Sequence, residues 1–449
     1  MSEKVELKRA LGLNYATLFG VGLILGAGIY ALVGRVAFYV GDAIWLSVLF
    51  ATIIALLTGL SYAEFASMFP KAASSHTYVE QTFPHARTLA FISGWLIVFE
   101  GIAGASTAAL GFARYTVGIF KWSAIWIPMI AIILILVLTV INWIGIEEST
   151  SLIVVFTFVE AFGLVLIGIL GFAFAQRAPS YTSVHADINP AIAMLLGAAV
   201  FYFAFTGFEL QPTLSEEVKE PKKTVPKAII LALLICSFLY LLVAISVVRL
   251  LPPDQLSESK APLADAAKQA WSPAFLVLAS IALFSTSNTV LGFLVSSSRL
   301  MYGLADEGIL PKRVGEVHRK TRTPHYAIMI SGLIAILIIL ITEYLPDVVG
   351  WRVITIGGRE YELIDLVGKT ASLACLIVFV IINVAVVVFR YRRPDIKREF
   401  VVPSVILPII GALLTVIFIA TSFLDWIIWV TTGIVIGIGF VLYVMRPKQ

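Results

Sequence analysis

Three glycines, Gly22, Gly26 and Gly28, lie in the middle of an apolar stretch that runs roughly from Leu11 to Val33. Glycine inside a helix costs about 1 kcal/mol relative to alanine, so this clustering predicts an interrupted helix. The N-terminal end of a half-helix attracts an anion such as a carboxylate, and the C-terminal end attracts a cation. The stretch is therefore a candidate binding site for a zwitterion such as an amino acid. Close packing between helices is the alternative interpretation of such small residues.

A second interruption is predicted in the apolar stretch 198–218, where Thr206 and Gly207 lie mid-stretch, Glu209 follows and Pro212 comes later. Interrupted helices at corresponding places in two halves of a chain indicate an internal repeat with a binding site between them. The two interruptions are about 180 residues apart, which matches a half built from five spans. We therefore expect an inverted repeat.

Three glutamates, Glu100, Glu160 and Glu209, fall within apolar stretches. A charge at the centre of a membrane costs roughly 2.5 kcal/mol or more, so such residues need a reason to be there. Each is a candidate for a proton carrier, a group that recognises a cation, or a protonated, hydrogen-bonded carboxylic acid of the core.

The elements that must position these residues are membrane-spanning helices. The chain has 449 residues, of which 59% are hydrophobic and 13% are charged, whereas soluble chains carry about 25% charged residues. A helix needs about 20 apolar residues to cross a bilayer. About twelve such runs occur, near 12–33, 43–68, 88–118, 123–145, 150–175, 191–214, 226–250, 270–303, 326–345, 363–390, 404–424 and 426–445. The fold class predicted is therefore all-α integral membrane, with interrupted helices 1 and 6.

Basic residues set the expected orientation. Most of the 32 Lys and Arg residues fall in loops that share a side with the N-terminus, such as 216–227, 310–325 and 390–399. This bias predicts a multi-pass protein of the cytoplasmic membrane with both termini in the cytoplasm. The net charge of +4 then reflects topology, and no nucleic-acid partner is expected. A cleavable signal peptide is not expected, because the first apolar run is too long.

Cofactor and metal chemistry are not expected. Cys236 and Cys375 both fall in predicted spans, where buried packing is the simplest interpretation, and the five histidines show no ligand spacing. We find no nucleotide-binding motif, and no nucleophile-and-base set of the kind an enzyme requires.

Five segments together resemble the amino acid–polyamine–organocation superfamily over nearly the whole chain. They are GLILGAGIYALVG near the N-terminus and the segments 56–79, 201–229, 282–312 and 389–403. The resemblance implies the five-plus-five inverted-repeat fold of the leucine-transporter kind in a single domain over 1–449. The first repeat would cover about 12–175 and the second about 190–390, with two further helices over about 404–446. It also implies a secondary transporter of amino acids or related amines.

The resemblance further implies a substrate site at the two interruptions. The substrate carboxylate would bind the backbone N–H groups of Gly26, Ala27 and Gly28. The amino group would bind carbonyl groups near Ile24, Phe203 and Thr206, and Phe203 falls where relatives place an aromatic lid. Gly207 belongs to the second interruption. Glu100 and Glu209 are the candidate partners of a cationic substrate.

Glu160 departs from the family pattern, because several proton-coupled relatives carry a lysine at or near this position. Two alternatives for the coupling ion stay open. Glu160 itself takes up and releases a proton, or a sodium ion binds between the first and eighth spans. The resemblance places the sodium ligands at Gly22, Leu25, Ala282, Ser285 and Thr286, and such oxygens suit a hard cation.

The expected function is a secondary active transporter that moves amino acids by alternating access, coupled to a proton or to sodium. An exchanger of amino acids, amines or polyamines without ion coupling is the nearest alternative. A membrane sensor that binds an amino acid without moving it belongs to another class. The short tails argue against a sensor with a signalling domain, and the apolar spans argue against a channel.

Overall fold

The computed structural model describes residues 5–26, 28–175, 177–182, 184, 189–259, 261–349, 354–356 and 359–445. These residues form sixteen α-helices and one short β-hairpin. The helices are α1 Leu13–Leu25, α2 Gly28–Val40, α3 Ile44–Met68, α4 Ser75–Thr82, α5 Arg87–Phe120, α6 Ile127–Ile144, α7 Ile146–Ala173, α8 Pro190–Tyr202, α9 Pro221–Leu250, α10 Pro253–Glu258, α11 Pro262–Ala270, α12 Ala274–Asp306, α13 His325–Val349, α14 Leu363–Arg392, α15 Ile406–Ser422 and α16 Trp426–Met445. Short 3₁₀ segments lie at Gly41–Ala43, Ala124–Trp126, Phe203–Phe205, Phe208–Leu214 and Lys312–Gly315.

Eleven helical stretches in the described residues are long and apolar enough to cross a membrane, and Ile406–Ser422 is a shorter apolar helix. This agrees with the prediction of about twelve spans. The first span differs in detail, because α2 continues to Val40 and does not end near residue 33.

Proline marks the start of several helices. Pro128, Pro190, Pro221, Pro253 and Pro262 each occupy one of the first two helical positions. Proline suits this place because its missing N–H group would have no partner in the first turn. At α8 the Asn189 side chain also accepts a hydrogen bond from the Ala191 N–H at 2.9 Å. The prolines, together with the asparagine cap at α8, therefore mark where these five helices begin.

The interrupted first span lies at the centre of the bundle. Its apolar window, Leu13–Tyr30, is 71% buried, whereas Ala124–Ile144 and Trp426–Met445 are each 22% buried. Helix α1 packs on α9, α7 and α12, while α12 also packs along α5. The outer helices expose rows of large apolar side chains such as Leu136 and Val140. Such a surface suits lipid and would be unfavourable in water.

The helical fold class is confirmed, and the described residues add one short non-helical element that the sequence analysis did not predict. Strands β1, Ile354–Ile356, and β2, Arg359–Tyr361, form an antiparallel hairpin between α13 and α14. The sequence carries a signal for it, because Gly357 and Gly358 separate two runs with β-branched and aromatic residues. A Gly-Gly pair is typical of a two-residue hairpin turn. The length of the neighbouring apolar runs obscured this short element.

Candidate functional site

The first span is interrupted at the predicted glycines. Helix α1 ends at Leu25, and Gly26 follows with φ 34° and ψ −174°. This conformation favours glycine because a Cβ atom would be strained there. Helix α2 begins at Gly28, so its first N–H groups lack carbonyl partners in their own helix. Ala27, which the resemblance assigns to the same site, lies outside the described residues.

The sixth span also leaves regular helical geometry where the sequence predicts it. Helix α8 gives way to the 3₁₀ segment Phe203–Phe205, Thr206 is extended, and Gly207 has φ 118°. The Thr206 hydroxyl donates to the Phe203 carbonyl oxygen at 2.9 Å. The Gly207 N–H donates to Glu209 Oε1 at 2.7 Å. Side chains therefore satisfy part of the backbone that the interruption frees.

The two interruptions lie against each other. A Cβ atom on Gly28 would lie 3.2 Å from the Cα atom of Ala204. A Cβ atom on Gly207 would lie 2.7 Å from the carbonyl oxygen of Leu23. A Cβ atom on Gly26 would lie 2.8 Å from the Thr289 hydroxyl oxygen. The glycines thus allow a backbone-to-backbone approach that a larger residue would prevent.

Tyr240 of α9 joins the two interruptions through one hydroxyl group. Its oxygen lies 2.7 Å from the Ile24 carbonyl oxygen, 3.1 Å from that of Leu25 and 2.8 Å from that of Ala204. These carbonyls are at the C-terminal ends of α1 and of the segment Phe203–Phe205. A hydroxyl has one proton to donate, so the three carbonyls share it. The same carbonyl ends would favour a cation.

We expect Tyr240→Phe to weaken both stability and transport. The change leaves buried carbonyls without their donor, which costs about 1–3 kcal/mol, and it frees the two interruptions from each other. Thermal unfolding in detergent and uptake into proteoliposomes measure the two effects. Tyr15→Phe is the matched control, because Tyr15 is 47% exposed. Unchanged stability and uptake in Tyr240→Phe would contradict this role of the hydroxyl.

The predicted lid residue, Phe203, is half-buried, and its ring packs edge-on against Phe423, with the ring centroids 5.8 Å apart. Phe423 directly follows α15. The aromatic side chain next to the second interruption therefore has a partner from outside the two predicted repeats, which the sequence pattern did not suggest.

Glu100 and Glu209 come together in the interior. One oxygen of each carboxyl group and the Cys375 Sγ atom all lie within 4.8 Å of one another. Glu100 is 5% exposed and Glu209 is fully buried. Two carboxyl groups this close in an apolar environment cannot both carry a charge without a large energetic penalty. The two carboxyl groups connect α5 to the segment Phe208–Leu214, and Cys375 adds a contact from α14.

Glu160 lies in a separate buried network on α7. The Ser285 hydroxyl donates to Glu160 Oε1, and the Asn288 amide lies 3.4 Å from Glu160 Oε2. That amide also lies 3.1 Å from the Thr157 hydroxyl oxygen. A Cβ atom on Gly22 would lie 2.7 Å from the Asn288 amide nitrogen. Glu160, Ser285 and Gly22 therefore border one polar cluster between α1, α7 and α12.

The other positions considered for sodium make contacts of their own. The Leu25 carbonyl oxygen accepts from Tyr240. The Thr286 hydroxyl donates to the Ala282 carbonyl oxygen at 2.9 Å, within α12. Ser285 donates to Glu160. In this conformation the oxygens at these three places are engaged in protein hydrogen bonds.

Sequence reasoning missed Tyr240, Thr157 and Asn288. Each lies in a long apolar run that carries no motif, and a single polar residue in such a run is common. Their partners are far away along the chain: 216 residues separate Tyr240 from Ile24, and 131 separate Asn288 from Thr157. Only the packing of α9 and α12 against α1 and α7 brings them to the site.

Comparison with known proteins identifies relatives along the full chain. The sequence profile described as "Amino acid permease" matches residues 11–445. The chain is 28% identical to the branched-chain amino acid permease BcaP of Bacillus subtilis, over 100% of this chain and 95% of that protein. It is also 28% identical to the methylthioribose transporter of the same organism, over 96% and 93% of the two chains. A vacuolar cationic amino acid transporter 2 of Arabidopsis thaliana is 28% identical over 87% of this chain and 61% of that protein.

Proposed function

Because the chain belongs to the amino acid permease family, we propose that it moves an α-amino acid by alternating access, driven by a coupled cation. It is a multi-pass integral membrane transporter and not an enzyme. The observation that carries the proposal is the direct contact between the two interruptions, at Gly28 with Ala204 and at Gly207 with Leu23.

The proposed substrate site uses the free polar backbone at these interruptions. The first N–H groups of α2, with those of Gly26 and Ala27, would hold the substrate carboxylate. The amino group would compete with the Tyr240 hydroxyl for carbonyl oxygens near Ile24. It would also bind the carbonyl oxygens of Phe203 and Thr206, which lie at the second interruption. Phe203 would cover the substrate. Relatives named for branched-chain and for cationic amino acids support a neutral or cationic substrate.

For a cationic substrate, the buried pair of Glu100 and Glu209 is the proposed acidic partner. Glu209 already contacts the second interruption through the Gly207 N–H. Its second oxygen, Oε2, has no hydrogen-bond partner among the described residues, and neither has Oε2 of Glu100. A substrate ammonium group near Gly207 would therefore find acceptor oxygens close by.

We propose further that the halves 12–175 and 190–390 form an inverted repeat within one domain over 1–449, followed by helices over 404–446. The interruptions fall in the first and sixth spans, at corresponding places of two five-span halves. An even number of spans and the basic loops support a cytoplasmic position for both termini in the cytoplasmic membrane.

The proton is the coupling ion that the contacts of Glu160 favour. The carboxyl group is fully buried and receives the Ser285 hydroxyl, which the sodium alternative would require as a ligand. A carboxyl group that gains and loses one proton during the cycle would supply the coupling without any further cation.

We expect Glu160→Gln to remove the pH dependence of uptake and to prevent proton-driven accumulation, since glutamine cannot exchange a proton with water. Initial uptake rates between pH 5 and pH 8 measure this. Glu147→Gln is the matched control on the same helix, because Glu147 is exposed and pairs with Lys8 at the surface. A pH profile equal to that of the unmodified protein would return Glu160 to a structural role.

The function is tested with purified protein in proteoliposomes. The vesicles receive labelled branched-chain and cationic amino acids and methylthioribose, with an inward proton gradient and no sodium. We expect accumulation of an amino acid above equilibrium that a protonophore abolishes. If accumulation requires sodium, the coupling ion is sodium and not the proton. Uptake only into preloaded vesicles would indicate an exchanger, and no uptake under any condition would favour a sensor.

A further inference from the structure

A histidine and two glutamates lie together where α4 meets the end of α12. One ring nitrogen of His76 and one carboxylate oxygen each of Glu80 and Glu307 all lie within 4.8 Å of one another. His76 and Glu80 are one turn apart on α4 and therefore share a face of that helix. Glu307 directly follows α12 and is 231 residues from His76 along the chain. The proposed transport mechanism assigns no role to these three side chains.

The cluster lies on the face of the bundle that carries the N-terminal segment. The Ala72 N–H, just before α4, donates to the Glu216 carboxylate at 3.2 Å. The next residue, Glu217, accepts hydrogen bonds from the N–H groups just before α1. The side chains of Glu80 and Glu307 are partly exposed. An ion in the water on this side of the membrane can therefore reach the two carboxylates.

Close packing holds the histidine in place. His76 is 1% exposed. A Cβ atom on Gly94 of α5 would lie 3.0 Å from the His76 Cβ atom and 3.2 Å from a methyl group of Leu304. A Cβ atom on Gly303 of α12 would meet the backbone nitrogen of Ala73. Helix α4 is thus fixed against α5 and α12, and a ligand set carried by such rigid elements keeps its geometry.

The polar contacts of His76 are incomplete. Its Nδ1 atom lies 2.8 Å from Glu307 Oε2, and the Thr77 hydroxyl donates to Glu307 Oε1 at 2.7 Å, which orients that carboxylate. The His76 Nε2 atom is buried and has no hydrogen-bond partner among the described residues. A buried polar atom without a partner is unfavourable. A bound ion would take one ring nitrogen as a ligand and leave the other for the carboxylate or water, as is common for metal-binding histidines.

The two carboxylates have no basic side chain to neutralise them. In the described part of the chain, Glu307 pairs with His76, and Glu80 forms no ion pair. Arg392 reaches the end of α4, but it donates to the Thr82 carbonyl oxygen at 3.2 Å. Glu307 also lies at the C-terminal end of α12, where the last carbonyl groups form the negative end of the helix dipole. This place therefore favours a cation.

We infer that His76, Glu80 and Glu307 form a binding site for a divalent transition-metal ion such as Zn²⁺. One nitrogen and two carboxylate oxygens are ligands that Zn²⁺ uses, and water would complete the coordination. The bonds to such ligands are about 2.0–2.2 Å long, so atoms within 4.8 Å of one another reach one ion after small side-chain rotations. The nitrogen ligand argues against Ca²⁺ and Mg²⁺, which prefer oxygen. The ion would join α4 to the end of α12.

Equilibrium dialysis of the purified, tag-free protein against Zn²⁺ tests the site. We expect one ion for each chain and a higher unfolding temperature with Zn²⁺, because the ion binds the folded protein. Glu80→Gln should remove the temperature shift and weaken binding about ten-fold or more, since the loss of even an outer partner of a ligand costs about 10- to 100-fold. Glu80 is partly exposed, so this variant should fold.

The matched controls are Glu147→Gln and His85→Gln. Both residues are exposed, and both variants should bind Zn²⁺ as the unmodified protein does. Cys375→Ser is a further control, because Glu100, Glu209 and Cys375 form a second group that could hold a metal. Binding should persist in this variant, and Co²⁺ bound in place of Zn²⁺ should show no thiolate band in its absorption spectrum.

Three results would overturn the site: no Zn²⁺ bound to the unmodified protein, equal binding in Glu80→Gln, or loss of binding in Cys375→Ser together with a thiolate band. Dialysis requires neither substrate nor an ion gradient. A failure of the proposed transport function would therefore leave the result for the metal site unchanged, and the two proposals are tested separately.

Discussion

Replacing Gly28 by leucine is expected to reduce amino acid uptake to the level of empty vesicles while folded protein remains in the membrane. A Cβ atom at this position would lie 3.2 Å from the backbone of Ala204, and the rest of a leucine side chain must enter the same space. The two interruptions would then separate. Because α2 starts at Gly28, the same change would also block the first N–H groups of that helix.

Gly26→Leu should have the same consequence for a second reason. Gly26 has φ 34°, which an L-amino acid rarely adopts, and a side chain there would meet the Thr289 hydroxyl. Gly433→Leu is the matched control. Gly433 also lies inside an apolar helix, α16, but a Cβ atom on it would have nothing within 4 Å. Gel filtration and thermal unfolding in detergent verify that each variant is folded.

Two results would count against the site. Uptake equal to that of the unmodified protein in Gly26→Leu or Gly28→Leu would show that transport does not need the close approach. Equal loss of uptake in Gly433→Leu would show that the assay reports membrane insertion and not the site.

Arg299→Met is expected to destabilise the folded protein by about 3–5 kcal/mol, because it leaves a buried carboxylate without its partner. Arg299 and Glu217 are both fully buried, and their side chains pair at 3.1 Å. A second guanidinium nitrogen of Arg299 binds the Asn142 side chain. Burial raises the pKa of the Glu217 carboxyl group, and Arg299 opposes that effect.

This ion pair also connects the N-terminal segment to the helix bundle. The Glu217 carbonyl oxygen accepts hydrogen bonds from the N–H groups of Ala10 and Leu11 at 2.9 and 3.0 Å. The segment before α1, the segment after the second interruption and α12 therefore meet at one residue. We expect uptake to fall as well, because this junction holds the start of the interrupted first span against α12.

Unfolding by a denaturing detergent and uptake into vesicles measure the two effects. The double variant Arg299→Met, Glu217→Leu should recover most of the lost stability, since an apolar pair often replaces a buried ion pair at little cost. Lys8→Met is the control: Lys8 pairs with Glu147 at 2.9 Å, and both side chains are more than half exposed. Such a surface pair contributes about 0–1 kcal/mol. A loss in Arg299→Met no larger than in Lys8→Met would contradict the proposed importance of the buried pair.

The amino-acid sequence alone was enough to predict the fold class, the family and both interruptions. Runs of about 20 apolar residues have few structural solutions in lipid, because every backbone polar group must find a partner within its own segment. Glycine in such a run carries a local conformational meaning, so Gly26, Gly28 and Gly207 could be identified without a structure. The short hairpin at Ile354–Ile356 and Arg359–Tyr361 was missed, although Gly357 and Gly358 signal it.

The contacts between polar residues could be identified only from the packed structure. The carboxyl groups of Glu100 and Glu209 could have faced separate surroundings, yet they lie together beside Cys375. Glu160 meets Ser285 and Asn288, and Tyr240 reaches both interruptions. The depth of a side chain in the membrane can be predicted from its position within its own apolar segment. Its partners depend on the rotation and crossing of helices that are distant along the chain, and that information lies in the packing of all the helices together.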